Sequence, residues 1–204
     1  MERAVEYVYK CVIYTVFHFF TVFDGRTSVC YDGTKGGETV LKIIKSMKDF
    51  PFVKVMEVYA QSNAATAREQ FPGESEAQGL YRAEMEFYQY LRHDFFTMGD
   101  SFYALWMEKE KPVSAIRFER WKDGFLLEGL ETHPDCRGLG YGTKLMNAVL
   151  CEIREPVYAH VRKDNWASLR VHEKCGFVRC QDTAMVDGSF DSRFLTLRKE
   201  KTHG

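Results

Sequence analysis

The alternation of apolar and polar positions divides the chain into short strands and amphipathic helices. Residues 102–108, 112–120 and 125–132 are apolar runs rich in β-branched and aromatic types, with turns at Lys111-Pro112 and Asp123-Gly124. Runs of this length and spacing predict three strands of an antiparallel meander. Over 138–153 the period changes, and Leu145, Met146, Val149, Leu150 and Ile153 form one helical face. A short buried strand at 157–161, a helix at 165–174 and closing strands at 178–183 and 193–198 follow. Upstream, Ser75-Glu76-Ala77-Gln78 is a capping-box pattern ahead of a helix striped by Leu80, Ala83, Phe87 and Leu91. Residues 53–60 read as a strand, and Asn63 caps a short helix running to 70.

The first fifty residues have another texture. Residues 8–23 are strand-like and reach Asp24-Gly25, after which 26–31 can pair back before Asp32-Gly33. Asp-Gly between apolar runs is a hairpin signal. A long buried helix remains the alternative, since periodicity does not separate the two for continuous apolar runs. Residues 38–50 place Val40, Leu41, Ile43, Ile44 and Met47 at helical spacing, which predicts an amphipathic helix ended by Pro51. The pattern thus divides the chain into an aromatic-rich strand/helix extension, 1–50, and a main domain, 51–204. The order β-α-α-β-β-β-α-β-α-β-β is an α+β class, a mixed sheet with helices on its faces.

Composition narrows the function. At 204 residues the chain is one domain with an appendage, and 45% apolar with 28% charged residues excludes long-range disorder. Lys and Arg number 28 against 29 Asp and Glu, so no basic excess supports a general nucleic-acid binder. The apolar run 7–23 contains Lys10 and His18 and falls short of the roughly 20 apolar residues of a spanning helix. It also lacks the small residues of a leader-peptide end, so no membrane association is expected. Six cysteines without C-x-x-C pairs point to free thiols in a reducing, cytoplasmic compartment, and no Cys/His spacing suits a metal.

The chemistry concentrates in Thr132-His133-Pro134-Asp135-Cys136-Arg137-Gly138-Leu139-Gly140-Tyr141-Gly142, where a strand ends and a Gly-rich loop opens into a helix. Amides at a helix N-terminus lack intrahelical partners and the helix dipole favours an anion there. Glycines at 138, 140 and 142 permit close approach of a phosphate, and Arg137 adds a charged donor. Neither the dinucleotide fingerprint nor the P-loop ending matches. A second motif follows: Asn165-x-x-Ser168-x-x-x-His172-Glu173-Lys174-Cys175-Gly176-Phe177.

Together with Arg137-x-x-Gly140-x-Gly142, this motif resembles the two signatures of the GNAT superfamily of N-acetyltransferases, over about residues 52–200. The resemblance implies the GNAT acyl-CoA N-acyltransferase fold, with coenzyme A in a cleft where strands 125–132 and 157–161 splay apart. It implies that the backbone of Leu130 and Thr132 pairs with pantetheine. The amides of Gly138, Leu139, Gly140, Tyr141, Gly142 and Thr143 would hold the pyrophosphate beside Arg137, and Asn165 and Ser168 would line the pantetheine side. His172 stands where the family often has a Tyr that protonates the departing thiolate. An imidazole with an ordinary pKa of about 6.5 can do so too, and the alternative is that it merely packs. Glu128 is the candidate base and Glu131 its alternative; the two face opposite sides unless a bulge intervenes. Cys136 lies beside a helix N-terminus that can lower its thiol pKa, which would permit an acyl-cysteine route, but the family transfers directly and the preferred reading is an incidental cysteine.

The activity so implied is transfer of an acetyl group from acetyl-CoA to a primary amine of a small molecule, amino acid or peptide, by direct attack in a ternary complex. The alternatives are a non-catalytic acyl-CoA-binding module and an assembly module in which the N-terminal unit forms a homodimer.

Overall fold

The structure, a computed structural model, describes residues 28–29, 39–186 and 188–200. The strands expected at 8–23 and the turns at Asp24-Gly25 and Asp32-Gly33 lie outside the described residues. Ten described strands and five α-helices run in chain order. They are β1 (Ser28–Val29), β2 (Thr39–Ile44), α1 (Phe52–Val58), α2 (Ala60–Gln70), α3 (Glu76–Tyr90), β3 (Phe102–Glu108), β4 (Lys111–Trp121) and β5 (Gly124–Thr132). Then come α4 (Tyr141–Leu150), β6 (Val157–Arg162), α5 (Trp166–Lys174), β7 (Val178–Gln181), β8 (Ala184–Val186), β9 (Ser189–Asp191) and β10 (Phe194–Lys199).

Among the described residues one sheet has the order β1-β2-β3-β4-β5-β6-β10-β7, and β8 and β9 form a small hairpin of their own. Neighbours in the large sheet are antiparallel except β5 and β6, which run parallel. Alternating side chains feed two cores. Phe102, Ala104, Ile116, Phe118, Phe125, Leu127, Val157 and Ala159 meet Leu145, Met146 and Val149 of α4 on one face. On the other, Ile44, Tyr103, Leu105 and Ala115 meet Val55, Met56, Val58 and Tyr59 of the α1 segment and Tyr90 of α3.

The meander, α4, β6, α5 and the closing strands stand where the pattern predicts them. The first elements do not. The helix expected over 38–50 is strand β2, paired along its length with β3 from Thr39↔Glu108 to Ile44↔Tyr103. Leu41 packs into one core and Ile44 into the other, so burial on both faces erased the alternation. The β-branched Thr39, Val40, Ile43 and Ile44 were the better signal. Residues 39–44 therefore belong to the main sheet, and a boundary at 50/51 parts β2 from its neighbour β3.

The strand expected over 53–60 is helix α1 with Pro51 as its N-cap, so that proline opens a helix and does not close one. Val55, Met56, Val58 and Tyr59 are buried while Val53, Lys54 and Glu57 face out, which is a helical face. Asn63 lies within α2, whose N-cap is Tyr59. Ser75 is the N-cap of α3, yet its hydroxyl donates to Gln78 Oε1 at 2.6 Å, so the capping box does not close.

Candidate active site

Strands β5 and β6 pair over only three positions, Phe125↔Val157, Leu126↔Tyr158 and Leu127↔Ala159, and then part. The cause lies on the far side of β5. Against β4 the register runs Ser114↔Thr132 and Ala115↔Glu131, then resumes at Arg117↔Glu128, so Gly129 and Leu130 together stand opposite Ile116. This is a β-bulge, which bends its strand and raises the local twist. Gly129 has φ +58, a left-handed conformation that favours glycine, and its carbonyl accepts from Tyr59 Oη at 2.5 Å. Residues 128–132 consequently present an edge that β6 does not cover, where the resemblance places the backbone of Leu130 and Thr132.

The bulge also settles the facing of the two carboxylates. Glu128 and Glu131 both line one cavity of 330 Å³, together with Tyr59 and Ser62 before and within α2, Glu86, Phe87 and Tyr90 of α3, and Arg117 of β4. Arg117 donates from Nε and Nη2 to Glu128 Oε2 at 3.2 and 3.0 Å, with side chains 19% and 26% exposed. Its guanidinium lies 5.6 Å from the Phe87 ring centroid and 5.9 Å from that of Tyr90. Burial pushes the Glu131 carboxyl above its ordinary pKa, and the charge of Arg137 pulls it partly back. Behind this wall Glu119 is 8% exposed and accepts from Tyr90 Oη at 3.4 Å. Burial first, then the charge of Glu128, pushes its pKa up to about 7.

Across the splay, α4 begins after a loop in which Gly138 and Gly140 have φ +78 and +80. A Cβ at either would meet nothing within 4 Å, so the loop borders open space. The first α4 ladder bond is Lys144 N–H to Gly140 O at 3.0 Å, so the amides of Gly142 and Thr143 precede the ladder. Gly142 packs against β5, where a Cβ would lie 3.3 Å from Thr132 Oγ1. Arg137 turns back from the loop: Nε donates to Thr132 O at 3.2 Å, Nη1 to Gln61 Oε1 at 2.5 Å, and Nη2 lies 3.6 Å from Glu131 Oε2. Leu139 is exposed at the loop tip, and the Tyr141 hydroxyl bonds to Glu108. The glycine cradle, open edge and free-facing amides fit a nucleotide-linked thioester such as acetyl-CoA.

Asn165 caps α5, its Oδ1 accepting from Ser168 N–H at 3.1 Å. The helix ends in a Schellman motif: Phe177 N–H reaches His172 O at 3.0 Å and Gly176 N–H reaches Glu173 O at 2.9 Å, with Gly176 at φ +83. That geometry is the physical content of the Gly-Phe signature. His172 is 2% exposed, edge-on to Phe177 at 5.0 Å, with Nδ1 2.8 Å from Ser168 O. A carbonyl only accepts, so Nδ1 carries the proton and Nε2 is a buried lone pair without a hydrogen-bond partner among the described residues. Burial lowers the His172 pKa, which keeps the ring neutral. The Cys136 thiol is pushed up, not down, by burial and by the carboxylates of Glu108 and Asp135, which removes the basis for an acyl-cysteine route. Cys136, Cys151, Cys175 and Cys180 are free thiols.

The Acetyltransferase (GNAT) family matches residues 62–177, more than half of the chain. The chain belongs to the GNAT acetyltransferase family. Acetyl transfer at the level of that family comes with membership. Solved structures agree in fold. A PaiA N-acetyltransferase from Thermoplasma acidophilum in complex with coenzyme A has 15% identity and TM-score 0.54, covering 79% of this chain and 99% of its own. The Campylobacter jejuni N-acetyltransferase PseH in complex with acetyl coenzyme A has 16% identity and TM-score 0.51, covering 79% and 99%. PH1933 from Pyrococcus horikoshii has 15% identity and TM-score 0.54, covering 80% and 99%. A comparison with curated protein sequences returns no match. No described helix of this GNAT protein is long and apolar enough to cross a membrane.

Sequence reasoning missed Arg117, Glu119, Tyr59 and Glu86. Arg117 and Glu119 alternate with Ile116 and Phe118, the pattern of a strand with one face in solvent, whereas helices cover both faces here. An arginine two positions from a glutamate on a central strand was the available signal.

Proposed function

We propose that this protein transfers the acetyl group of acetyl-CoA to a primary amine by direct attack in a ternary complex. One observation carries the reading: the bulge at Gly129 opens the β5 edge towards the glycine loop and turns Glu128 and Glu131 into one cavity. Donor and acceptor sides thus meet along four residues. The amide edge of residues 130–132 takes pantetheine, and residues 138–143 take the pyrophosphate with Arg137 beside them.

An amine reaches the cavity as an ammonium and must lose a proton. A base works best with a pKa near the working pH. Burial raises the pKa of Glu131 and Arg117 bonds Glu128 twice, so Glu131 takes the proton, directly or through water, and Glu128 with Arg117 positions the amine. This moves the base from Glu128, where the sequence alone put it. The amine nitrogen then attacks the thioester carbonyl carbon; the C–N bond forms, the C–S bond breaks, the nitrogen releases its second proton to water, and the thiolate takes a proton from water. His172 is not the donor in this scheme, because its neutral Nε2 holds no proton.

The test is thiol release with an amine panel. Glu131→Gln should lower kcat/KM by about 10²–10⁴-fold without weakening acetyl-CoA binding. Full activity in that variant, with loss in Glu128→Gln, returns the base to Glu128. No thiol release with any amine refutes transfer.

A further inference from the structure

The acceptor cavity is charged in a way that selects its occupant. Its lining sets three carboxylates, Glu86, Glu128 and Glu131, against a single guanidinium, Arg117. Arg117 is already spent on Glu128 through two bonds, at 3.2 and 3.0 Å. Glu86, on α3, is reached by Arg82 at 3.4 Å and Glu131 by Arg137 at 3.6 Å, but neither arginine lines the cavity. The rings of Tyr59, Phe87 and Tyr90 line it too, with the neutral polar side chains of Ser62, Asn63, Thr66 and Gln70 on the α2 side. Carboxylates over aromatic faces favour cations and repel anions. At 330 Å³ the cavity matches the liquid volume of roughly ten waters at about 30 Å³ each, which is small-molecule size.

Resting on the amine-acetyltransferase reading above, we propose that the acceptor is a small aliphatic amine carrying a second positive group. One nitrogen reacts beside Glu131, and the other is held by Glu86 among the aromatic rings. A carboxylate at the distal end would meet Glu86 with no free cation in the lining to balance it, so amino acids are poor acceptors. Glu86 is a specificity-determining residue and takes no part in the bond changes.

Three four-carbon amines that differ only at the far end test this on the full chain: putrescine, n-butylamine and γ-aminobutyrate. Expected kcat/KM falls in that order, with putrescine about tenfold or more above n-butylamine. Glu86→Gln should cut the preference for putrescine over n-butylamine about fivefold, the size of one partly exposed ion pair. Equal rates for all three, a preference for γ-aminobutyrate, or an undiminished preference in Glu86→Gln overturns the assignment while transfer itself stands. Acetyl-CoA binding by calorimetry without transfer to any of the three overturns the transferase reading and this inference with it.

Discussion

Glu119 gives the protein a pH-dependent stability whose sign and size follow from where it sits. Its carboxyl is 8% exposed on β4, facing Tyr90 of α3, Arg117 of its own strand and Glu128 of β5. Burial raises its pKa from 4.5 to about 7. Between those values the folded chain keeps a proton that the unfolded chain has released, so stability falls as pH rises through this window. The full stabilisation is present below the unfolded pKa and is lost once pH passes the folded one. A shift of that span corresponds to about 3 kcal/mol. Glu119→Gln keeps the size and the acceptor for Tyr90 Oη but cannot ionise. Urea unfolding followed by tryptophan fluorescence, at constant ionic strength, should show the variant gaining about 3 kcal/mol on the wild type between about pH 4 and pH 8. For a chain of this length that is a Tm difference of about 6–12 °C. His160 and His172, whose pKa values burial lowers, act in the opposite sense. They cost stability as pH falls below about 6.5, and this limb should survive in Glu119→Gln. A gap between variant and wild type that stays flat across the window refutes the reasoning.

Gly140→Val places a β-branched residue at φ +80 beside the phosphate loop and should weaken coenzyme A binding at least tenfold by calorimetry, and unchanged affinity would move the donor site elsewhere. Gly129→Ala puts a Cβ 2.9 Å from Arg117 Nη1 at φ +58, so unfolding should show a loss of about 1–3 kcal/mol. A fully stable Gly129→Ala would contradict the bulge. His172→Phe loses the Nδ1 bond to Ser168 O but also removes Nε2, which has no partner among the described residues, so it should stay within about 1 kcal/mol and a few-fold in kcat/KM. A hundredfold fall would make His172 the proton donor to the thiolate.

The C-terminal two-thirds of the fold was legible because its signals are local. Turn residues bound the meander, the α4 face repeats at helical spacing, and Asn165 and Gly-Phe cap α5 at both ends. The first strand and first helix were exchanged because each is judged by its neighbours: β2 is apolar on both faces, and α1 begins at a proline that fits either ending or opening a helix. The glycine loop ahead of α4 could be read from its spacing. The acceptor cavity could not, since Tyr59, Glu86, Arg117 and Glu131 come from four separate segments that only the sheet and the helices over it bring together. The facing of Glu128 and Glu131 hinged on a bulge, which strand alternation cannot disclose.

That bulge has an arithmetic consequence. Glu128 and Glu131 are three positions apart, an odd step that puts them on one side only because an extra residue stands opposite Ile116. A chain lacking Gly129 would bring them two positions apart and keep both on that side, in unbroken register with Arg117 and Ala115. No side chain with a proposed role would be missing. What would go is the bend: β5 would run straight, its pairing with β6 could continue beyond Leu127↔Ala159, and the edge now facing the glycine loop would be zipped shut. Shortening the strand by that one residue would make a more regular sheet and close the gap between β5 and the glycine loop.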